Sequence, residues 1–307
     1  MRPRYRWQLR SQVLELGLRT LVMGVVNVTP DSFSDGGRFL DPARAVEHAV
    51  HLLDEGADIV DIGGESTRPG THVATDGAAL ESRPDVTEEE ELQRVIPVIQ
   101  GVLRRRPGSV VSVDTYKSGV AIEAAAAGAE IVNDVSAFQW DSRMAATCAE
   151  LQCGVVLMHT RGLPHQWRDQ PAHADITSLV EHDLANRVQV AYEGGIRRDH
   201  IVLDPGFGFG KNFEENYPLL ARFQQLQRMG FPLLTGTSRK SFIGRTVGKR
   251  AGKGSPPGER LYGSLAAMVA SILGGAHIVR VHDVKPAVEA AAVADEVLAA
   301  SETRAPA

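Results

Sequence analysis

Apolar and polar residues alternate in blocks along this chain, and the blocks predict strands that are each followed by a helix. Short runs rich in valine and isoleucine predict buried strands, at residues 21–26, 58–62, 109–114, 130–133, 154–158, 200–203, 232–236 and 277–281. Helix-length segments follow them, at residues 42–55, 88–106, 117–127, 142–152, 176–193, 213–229, 259–273 and 285–300. Thr87 and Glu90 predict a capping box at the start of the second helix. Strands without polar alternation are typical of parallel sheets covered by helices on both faces.

One short motif recurs three times: a helix ends, a glycine breaks it, and a β-branched run begins, at residues 55–60, 127–132 and 274–279. In all, the chain contains eight units of a strand followed by a helix, and these predict a (β/α)8 TIM barrel built as a single domain. An open doubly wound sheet is the alternative, but it would not need eight such regular units. The predicted organisation is an N-terminal extension or cover of the barrel bottom, the barrel, and a disordered tail, at residues 1–20, 21–300 and 301–307.

Composition and charge exclude several classes of protein. The 307 residues, 33.1 kDa and 43% hydrophobic content suffice for one α/β barrel. A net charge of -5 and a pI near 6.1 give no reason to expect nucleic acid or an anionic membrane as a partner. No apolar run reaches the length of a membrane span, and no secretory signal is found. Cys148 and Cys153 cannot form a disulfide framework, so we expect a reducing, cytoplasmic location.

The turn that begins at Asp204 has the most unusual composition in the chain. Asp204 ends a predicted strand, and three glycines then allow the backbone to turn tightly and approach a ligand. Phe207 and Phe209 offer two aromatic faces, and Lys211 adds a cation. Asn212 is placed to cap the next helix. The turn therefore predicts a floor for a flat, polar heterocycle, whereas its G-x-G-x-G spacing does not fit a dinucleotide-binding loop.

Nearly every predicted strand ends on a charged or hydrogen-bonding residue. The set comprises Asn27, residues 65–68, Asp114, Asn133, His159, Asp204, residues 238–241, Arg280 and His282. In a (β/α)8 barrel the carboxyl ends of the strands build the active site, so these side chains should share one rim. Individual members have plainer explanations: Asp114 as a helix cap, Asn133 as a backbone partner, and His159 as a structural histidine.

The candidate residues fall into two chemical groups. The first would complement a pterin or purine edge by offering acceptors, an amide and an ammonium, and consists of Asp114, Asn133, Asp204 and Lys240. The second suits phosphate oxygens and consists of Asn27, Arg68, Arg280 and His282. Asn27 would also ligate Mg²⁺, an ion that keeps several waters and is completed by substrate phosphates. No zinc motif and no Ser-His-Asp elbow is found.

These motifs, taken together, resemble those of the dihydropteroate synthase family. The resemblance is collinear and spans roughly residues 21 to 300, through the segments 23–37, 63–70, 112–115, 133–134, 204–212, 238–241 and 280–283. It implies a transferase that joins p-aminobenzoate to 6-hydroxymethyl-7,8-dihydropterin pyrophosphate, giving 7,8-dihydropteroate and pyrophosphate in folate biosynthesis. It also implies that sulfonamides, which are similar to p-aminobenzoate, inhibit the enzyme.

The resemblance assigns roles to particular residues. The pterin-binding set would be Asp114, Asn133, Asp204 and Lys240, and the pyrophosphate-binding set Asn27, Arg68, Arg280 and His282, with Mg²⁺ on Asn27. The p-aminobenzoate pocket would comprise Phe33, Thr67, Pro69, Phe209, Lys240 and Ser241. The catalytic set would be Asn27, Asp35, Arg68, Lys240, Arg280 and His282, with Asp35 steadying a cation and Arg239 a secondary candidate. The family further implies an SN1-like departure of pyrophosphate and a homodimer.

Two other enzyme classes and one non-enzymatic class are alternatives. A methyltetrahydrofolate–corrinoid methyltransferase also uses a pterin-binding barrel, but it has no pyrophosphate for Arg280 and His282 to hold. A Schiff-base aldolase would use Lys240 beside Arg239. A retired pterin-binding scaffold would have no physical reason to keep paired acidic and basic groups around one pocket.

Overall fold

A computed structural model of the chain describes residues 2–29, 41–75, 84–249 and 252–302. It contains eight parallel strands, β3 (Leu21–Asn27), β4 (Ile59–Gly63), β5 (Val110–Asp114), β6 (Ile131–Asp134), β7 (Gly154–Met158), β8 (Ile201–Asp204), β9 (Leu234–Thr235) and β10 (Ile278–Val281). They are hydrogen-bonded in the order β8-β7-β6-β5-β4-β3-β10-β9. Leu203 of β8 bridges in parallel to Leu233 beside β9, and this contact closes the ring. The predicted (β/α)8 barrel is confirmed. The open-sheet alternative is wrong, because the bridge joins the two ends of the strand order, β8 and β9.

Helices pack around the outside of the barrel. They are α1 (Pro42–Asp54), α2 (Glu88–Arg105), α3 (Ser118–Ala126), α4 (Met144–Leu151), α5 (Ile176–Glu193), α6 (Phe213–Ala221), α7 (Ser241–Gly248), α8 (Leu261–Leu273) and α9 (Val284–Glu302). Within the described ranges, no helix combines the length and apolar content needed to cross a membrane.

Two helix predictions need correction. The single helix predicted over residues 213–229 is α6 followed by the 3-10 helix Phe223–Met229. Helix α7 was not predicted, because its eight residues include two glycines and present too short an apolar pattern. The predicted capping box is confirmed, since Thr87 Oγ1 accepts from the Glu90 N–H at 3.2 Å and Glu90 Oε2 accepts from the Thr87 N–H at 2.8 Å. Asn212 is the N-cap residue of α6, as predicted, where its backbone N–H donates to Glu215 Oε2 at 2.6 Å. Its side-chain amide donates to Gln170 O at 3.4 Å.

The lower half of the barrel interior is filled with apolar side chains. Every strand contributes to this layer, which includes Leu21, Met23, Ile59, Val110, Ile131, Val156, Val202, Leu234 and Ile278. Below it lies an unpredicted hairpin of β1 (Tyr5–Gln8) and β2 (Val13–Leu16), whose Trp7 is fully buried and donates its indole N–H to His200 O at 2.8 Å. The hairpin and this apolar layer fill the amino end of the barrel, so the polar ends of the strands lie at the opposite rim.

Candidate active site

The strand register brings the predicted polar residues to one rim. Asn27 at the end of β3 lies opposite Gly63, Gly63 lies opposite Asp114, and Asp114 lies opposite Asn133. Asp204 and Arg280 border the same space, because a Cβ placed on Gly236 would be 3.9 Å from Asp204 Oδ2 and 3.9 Å from Arg280 Cβ. The strand-end candidates and Arg280 therefore lie close together at one rim of the barrel.

A buried carboxylate that sequence reasoning missed joins these residues. Asp61, in the middle of β4, is fully buried, and its Oδ2 accepts from Arg280 Nε at 2.6 Å and from Asn133 Nδ2 at 3.0 Å. Arg280 also donates through Nη2 to Asp114 Oδ2 at 2.7 Å. The sequence does contain a signal for this residue, because an aspartate stands inside an otherwise apolar strand. A charge buried there must have a partner. Arg280, from the phosphate group, is thus in one network with Asp114 and Asn133 of the pterin-edge group.

Burial shifts the ionisation of the rim. It raises the pKa of Asp204 to about 6, although the Gly206 N–H donates to its Oδ1 at 2.7 Å. Burial likewise raises the pKa of Asp114, an effect that Arg280 opposes. The pKa of Lys240 falls to about 7 through burial and then through repulsion by Arg280. Near neutral pH these groups can therefore exchange protons or change charge when a ligand binds.

The glycine-rich turn after β8 places one aromatic ring at the site, not two. The Lys240 ammonium lies 3.7 Å from the centroid of the Phe209 ring, and Trp167 meets that ring edge-on at 5.1 Å. Phe207 is fully buried and stacks on Phe223 in the core. Gly206 has a φ of +66°, and a Cβ there would lie 2.0 Å from a backbone oxygen. The expectation of two aromatic faces is therefore wrong for Phe207.

Lys211 supports this turn from below. Its ammonium is buried and donates to Gly206 O at 2.7 Å and to His159 Nδ1 at 2.8 Å. His159 Nε2 lies 3.1 Å from Asp183 Oδ2. Burial, followed by the charge of Lys211, lowers the pKa of His159 to about 4, so the imidazole is neutral. His159 thus has the structural role that was its plainer explanation.

The residues predicted to bind phosphate differ in their surroundings. His282 is half-buried, and burial together with Arg280, Arg239 and Lys240 lowers its pKa to about 3. Its Nδ1 lies 3.0 Å from Ser238 Oγ. Arg239 is engaged in an ion pair with Asp283, at 2.6 Å. His282 is therefore a neutral hydrogen-bonding group. Arg239, the secondary candidate, is bound to Asp283 and has a structural role there.

The remaining candidates lie on loops or outside the described ranges. Arg68 and Pro69 are exposed on the segment after β4, beside the partly buried Thr67, and Ser241 is exposed as the first residue of α7. Phe33 and Asp35 lie outside the described residues.

The donors at this rim fit a hard cation only if phosphate supplies most of its ligands. Among the described residues, no group of three or more His, Cys, Asp or Glu side chains could hold a metal ion. Asn27 ends its strand half-buried at the rim, where one amide oxygen is available. This donor set is compatible with Mg²⁺, which typically keeps several waters and is completed by substrate phosphates.

Comparison with known proteins gives consistent results. A family profile described as pterin binding enzyme matches residues 23–282. The dihydropteroate synthase of Escherichia coli (strain K12) is 43% identical over 283 residues, which are 92% of this chain and 93% of the relative. A structure of the Yersinia pestis dihydropteroate synthase with a sulfonamide drug superposes with a TM-score of 0.84 at 39% identity, covering 96% of this chain and 99% of that one. The Xanthomonas albilineans dihydropteroate synthase in complex with 7,8-dihydropteroate gives a TM-score of 0.80 at 39% identity, with coverage of 96% and 99%.

Proposed function

This chain belongs to the dihydropteroate synthases, transferases of folate biosynthesis, and from that membership we propose a residue-level mechanism for its reaction. The substrates would be 6-hydroxymethyl-7,8-dihydropterin pyrophosphate and p-aminobenzoate, and the products 7,8-dihydropteroate and pyrophosphate. The observation that carries the mechanism is the network in which Asp61 holds Asn133 and Arg280 while Arg280 holds Asp114. A dihydropteroate synthase that is 43% identical over 92% of this chain favours this reaction over the methyltransferase and aldolase alternatives.

The pterin ring would bind on the inner side of this network. One N–H of the Asn133 amide donates to Asp61, which leaves the carbonyl oxygen and the second N–H for other partners. Asp114 and Asp204 supply carboxylate acceptors for ring N–H groups, and the Lys240 ammonium supplies a donor for ring acceptors. The ring's donor and acceptor pattern is thereby matched from three sides.

Pyrophosphate would bind beside Asn27, Arg68, Arg280 and His282. The backbone N–H of His282 donates to Ser238 Oγ at 3.2 Å, which leaves the Ser238 proton free to donate to His282 Nδ1. That arrangement puts the imidazole proton on Nε2, where it can donate to a phosphate oxygen. Mg²⁺ held through Asn27 would neutralise charge on the departing oxygens.

The reaction would proceed in an SN1-like manner. The bond between the pterin methylene carbon and the pyrophosphate oxygen breaks, and pyrophosphate leaves with the electron pair toward Arg280 and Arg68. Arg280 is held in place by Asp61 and Asp114, and a preorganised cation stabilises a transition state most where charge develops. The lone pair of the p-aminobenzoate amine then forms the new C–N bond, and the nitrogen loses a proton to solvent. Asp35 stays a prediction as the group that steadies the cation.

The p-aminobenzoate pocket would lie between the loop after β4 and the start of α7. Thr67 and Pro69 belong to the loop. Phe209 and Lys240 would form one wall of the pocket, because the Lys240 ammonium lies against the Phe209 ring. The carboxylate would bind at Ser241, at the amino end of α7, where free N–H groups favour an anion. Phe33 completes the predicted set. Because a sulfonamide binds the Yersinia pestis relative, we infer that sulfonamides compete for this pocket.

Two broader proposals concern assembly and location. Several apolar side chains are exposed on neighbouring outer helices: Phe213 and Tyr217 on α6, Val247 on α7, and Tyr262 and Leu273 on α8. Such a surface fits a second copy of the chain, so we propose a homodimer. Cys148 and Cys153 are buried free thiols, which agrees with a reducing cytoplasm.

The reaction itself gives the first test. Purified protein mixed with dihydropterin pyrophosphate, p-aminobenzoate and Mg²⁺ is expected to release pyrophosphate in a coupled phosphate assay. Removing Mg²⁺ with a chelator should lower the rate, and Asn27→Ala should raise the Mg²⁺ concentration required for half-maximal rate. Folded protein that releases no pyrophosphate would contradict the proposed function, and a chelator-insensitive rate would contradict only the role of Mg²⁺.

The acidity of the rim predicts a narrow pH profile. Asp204 accepts ring N–H groups best as a carboxylate, so kcat/KM for the pterin substrate should rise as pH rises through about 6. Lys240 donates as an ammonium, so kcat/KM should fall as pH rises through about 7. Lys240→Arg carries a cation that does not deprotonate in this range, so its alkaline fall should disappear. An unchanged alkaline limb in that variant would assign the limb to another group.

A further inference from the structure

We propose that Tyr116 and Lys117, in the turn between β5 and α3, are positioning residues that fix the loop after β4 against the pterin-binding edge. This loop carries Thr67 and Arg68, so the inference rests on the proposed function and names the residues that hold part of its second substrate pocket in place. Neither Tyr116 nor Lys117 is among the rim residues that would touch a substrate.

Lys117 anchors the beginning of the loop. Its ammonium is buried and donates to Glu65 Oε2 at 2.6 Å, to Glu91 Oε2 at 2.6 Å and to Val86 O at 3.1 Å. Glu65 is the second residue after β4 and directly precedes the segment that carries Thr67. The ammonium therefore ties the start of the loop to the first turn of α2.

Tyr116 anchors the loop at a second point, nine residues further along. Its hydroxyl donates to Glu65 Oε1 at 3.3 Å and accepts from the Ala74 N–H at 2.9 Å. Its ring is buried and meets Trp140 edge-on at 5.0 Å, so the hydroxyl has a fixed position. Residues 65 and 74 are thus held by one turn, and the segment between them forms a closed arch.

The turn also sets where the arch lies relative to the pterin. Tyr116 follows Asp114 by two residues, and Asp114 is held by Arg280 at 2.7 Å. A displacement of β5 at this end would therefore move the pterin-edge carboxylate and the arch together. The pocket proposed for p-aminobenzoate has this arch as one wall, so its width depends on the Tyr116 and Lys117 contacts.

The composition of the anchor also supports a role in positioning. Two carboxylates and one ammonium are buried here, and burial raises the pKa of Glu65 despite the contact with Lys117. Replacing such clusters with well-packed apolar residues is often neutral or stabilising, so stability alone does not account for this one. Its hydrogen bonds do specify one arrangement of the loop after β4, the start of α2 and the turn between β5 and α3.

Tyr116→Phe tests this inference, because it removes only the hydroxyl and keeps the buried ring. We expect KM for p-aminobenzoate to rise roughly tenfold, since two hydrogen bonds are lost from the arch. Affinity for the dihydropterin alone should stay within about twofold in calorimetry, because Asp114 keeps its contact with Arg280. The backbone amide of Ala74 should exchange its hydrogen faster, while the amides of β5 should not change.

Tyr5→Phe is the matched control, since it removes a hydroxyl at the opposite end of the barrel, and it should leave all three measurements unchanged. Wild-type KM for p-aminobenzoate in Tyr116→Phe, unchanged exchange at Ala74, or an equal loss of affinity for dihydropterin would each overturn the inference. Absence of pyrophosphate release by the unmodified protein would instead overturn the proposed function, so the two failures are distinguishable.

Discussion

Replacing Arg280 with methionine is expected to abolish pyrophosphate release and to lower the free energy of unfolding by about 3–5 kcal/mol. The guanidinium is the partner of Asp61 and of Asp114, at 2.6 and 2.7 Å, and its side chain is only 21% exposed. Without it, two carboxylates would share a largely dry site with no opposite charge between them. Urea denaturation and the pyrophosphate-release assay measure the two effects separately.

The same substitution should also weaken binding of the bare dihydropterin. Had Arg280 served an independent anion site, pterin affinity would have survived its loss, but the contact with Asp114 places it in the pterin network. The Asn133 amide is oriented through Asp61, which Arg280 neutralises. Calorimetry with dihydropterin alone decides the point, and intact pterin affinity in Arg280→Met would contradict the single-network arrangement.

Two further variants separate stability from chemistry. Arg228→Met removes an arginine from a surface ion pair with Glu181 and should change neither stability nor rate measurably. Adding Asp61→Leu to Arg280→Met should restore part of the lost stability, because an apolar side chain replaces an unpaired buried carboxylate. The double variant should stay inactive. Recovery of activity in it would show that Arg280 acts only by neutralising Asp61.

The second large effect is expected from Asp204→Asn, which should weaken dihydropterin binding by about 1–3 kcal/mol, or roughly 5- to 150-fold. The side chain is 5% exposed and one of its oxygens already accepts from Gly206 N–H, so the other is available to a ring N–H. Asparagine can keep the backbone contact through its carbonyl oxygen. Its amide would then present a donor to a ring donor in a site that excludes water.

Titration calorimetry with the dihydropterin alone measures this loss without interference from turnover. Asp199→Asn is a suitable control, because Asp199 pairs with Arg197 on the surface, before β8. Wild-type affinity in Asp204→Asn would remove Asp204 from the pterin site. A loss of affinity accompanied by a lower unfolding midpoint would instead assign the residue to the support of the turn.

The fold was readable from the sequence because its signals are local. Each βα unit contains its own apolar run, three of them follow the same glycine break, and all eight predicted strands are confirmed. The missed elements lack such signals. The hairpin of β1 and β2 has four-residue strands whose pairing depends on contact with the barrel floor, where Trp7 meets His200 193 residues away. Helix α7 is short and contains two glycines.

The rim residues were also identifiable, since barrel geometry brings the ends of parallel strands together. The roles of their neighbours could not be identified in this way. Phe207 and Phe209 are two residues apart in the same turn, yet the first is in the core and the second lies beneath the Lys240 ammonium. Lys211 supports the turn from inside instead of facing a ligand. Spacing along the chain does not distinguish such positions, because a turn with positive φ at three glycines follows no simple period.

By itself, the sequence determined the closed barrel and the end at which its polar residues collect, because both follow from periodicity and from the direction of the strands. Only the tertiary structure decided which charges are paired and which groups are neutral. Arg280 meets Asp61 and Asp114 across 219 and 166 residues of chain, and no local pattern records such contacts. The neutral state of His282 likewise depends on burial and on the charges of Arg280, Arg239 and Lys240, of which the last two come from the segment after β9. Pairing and pKa are set by distance through space and by exclusion of water, and folding alone establishes both.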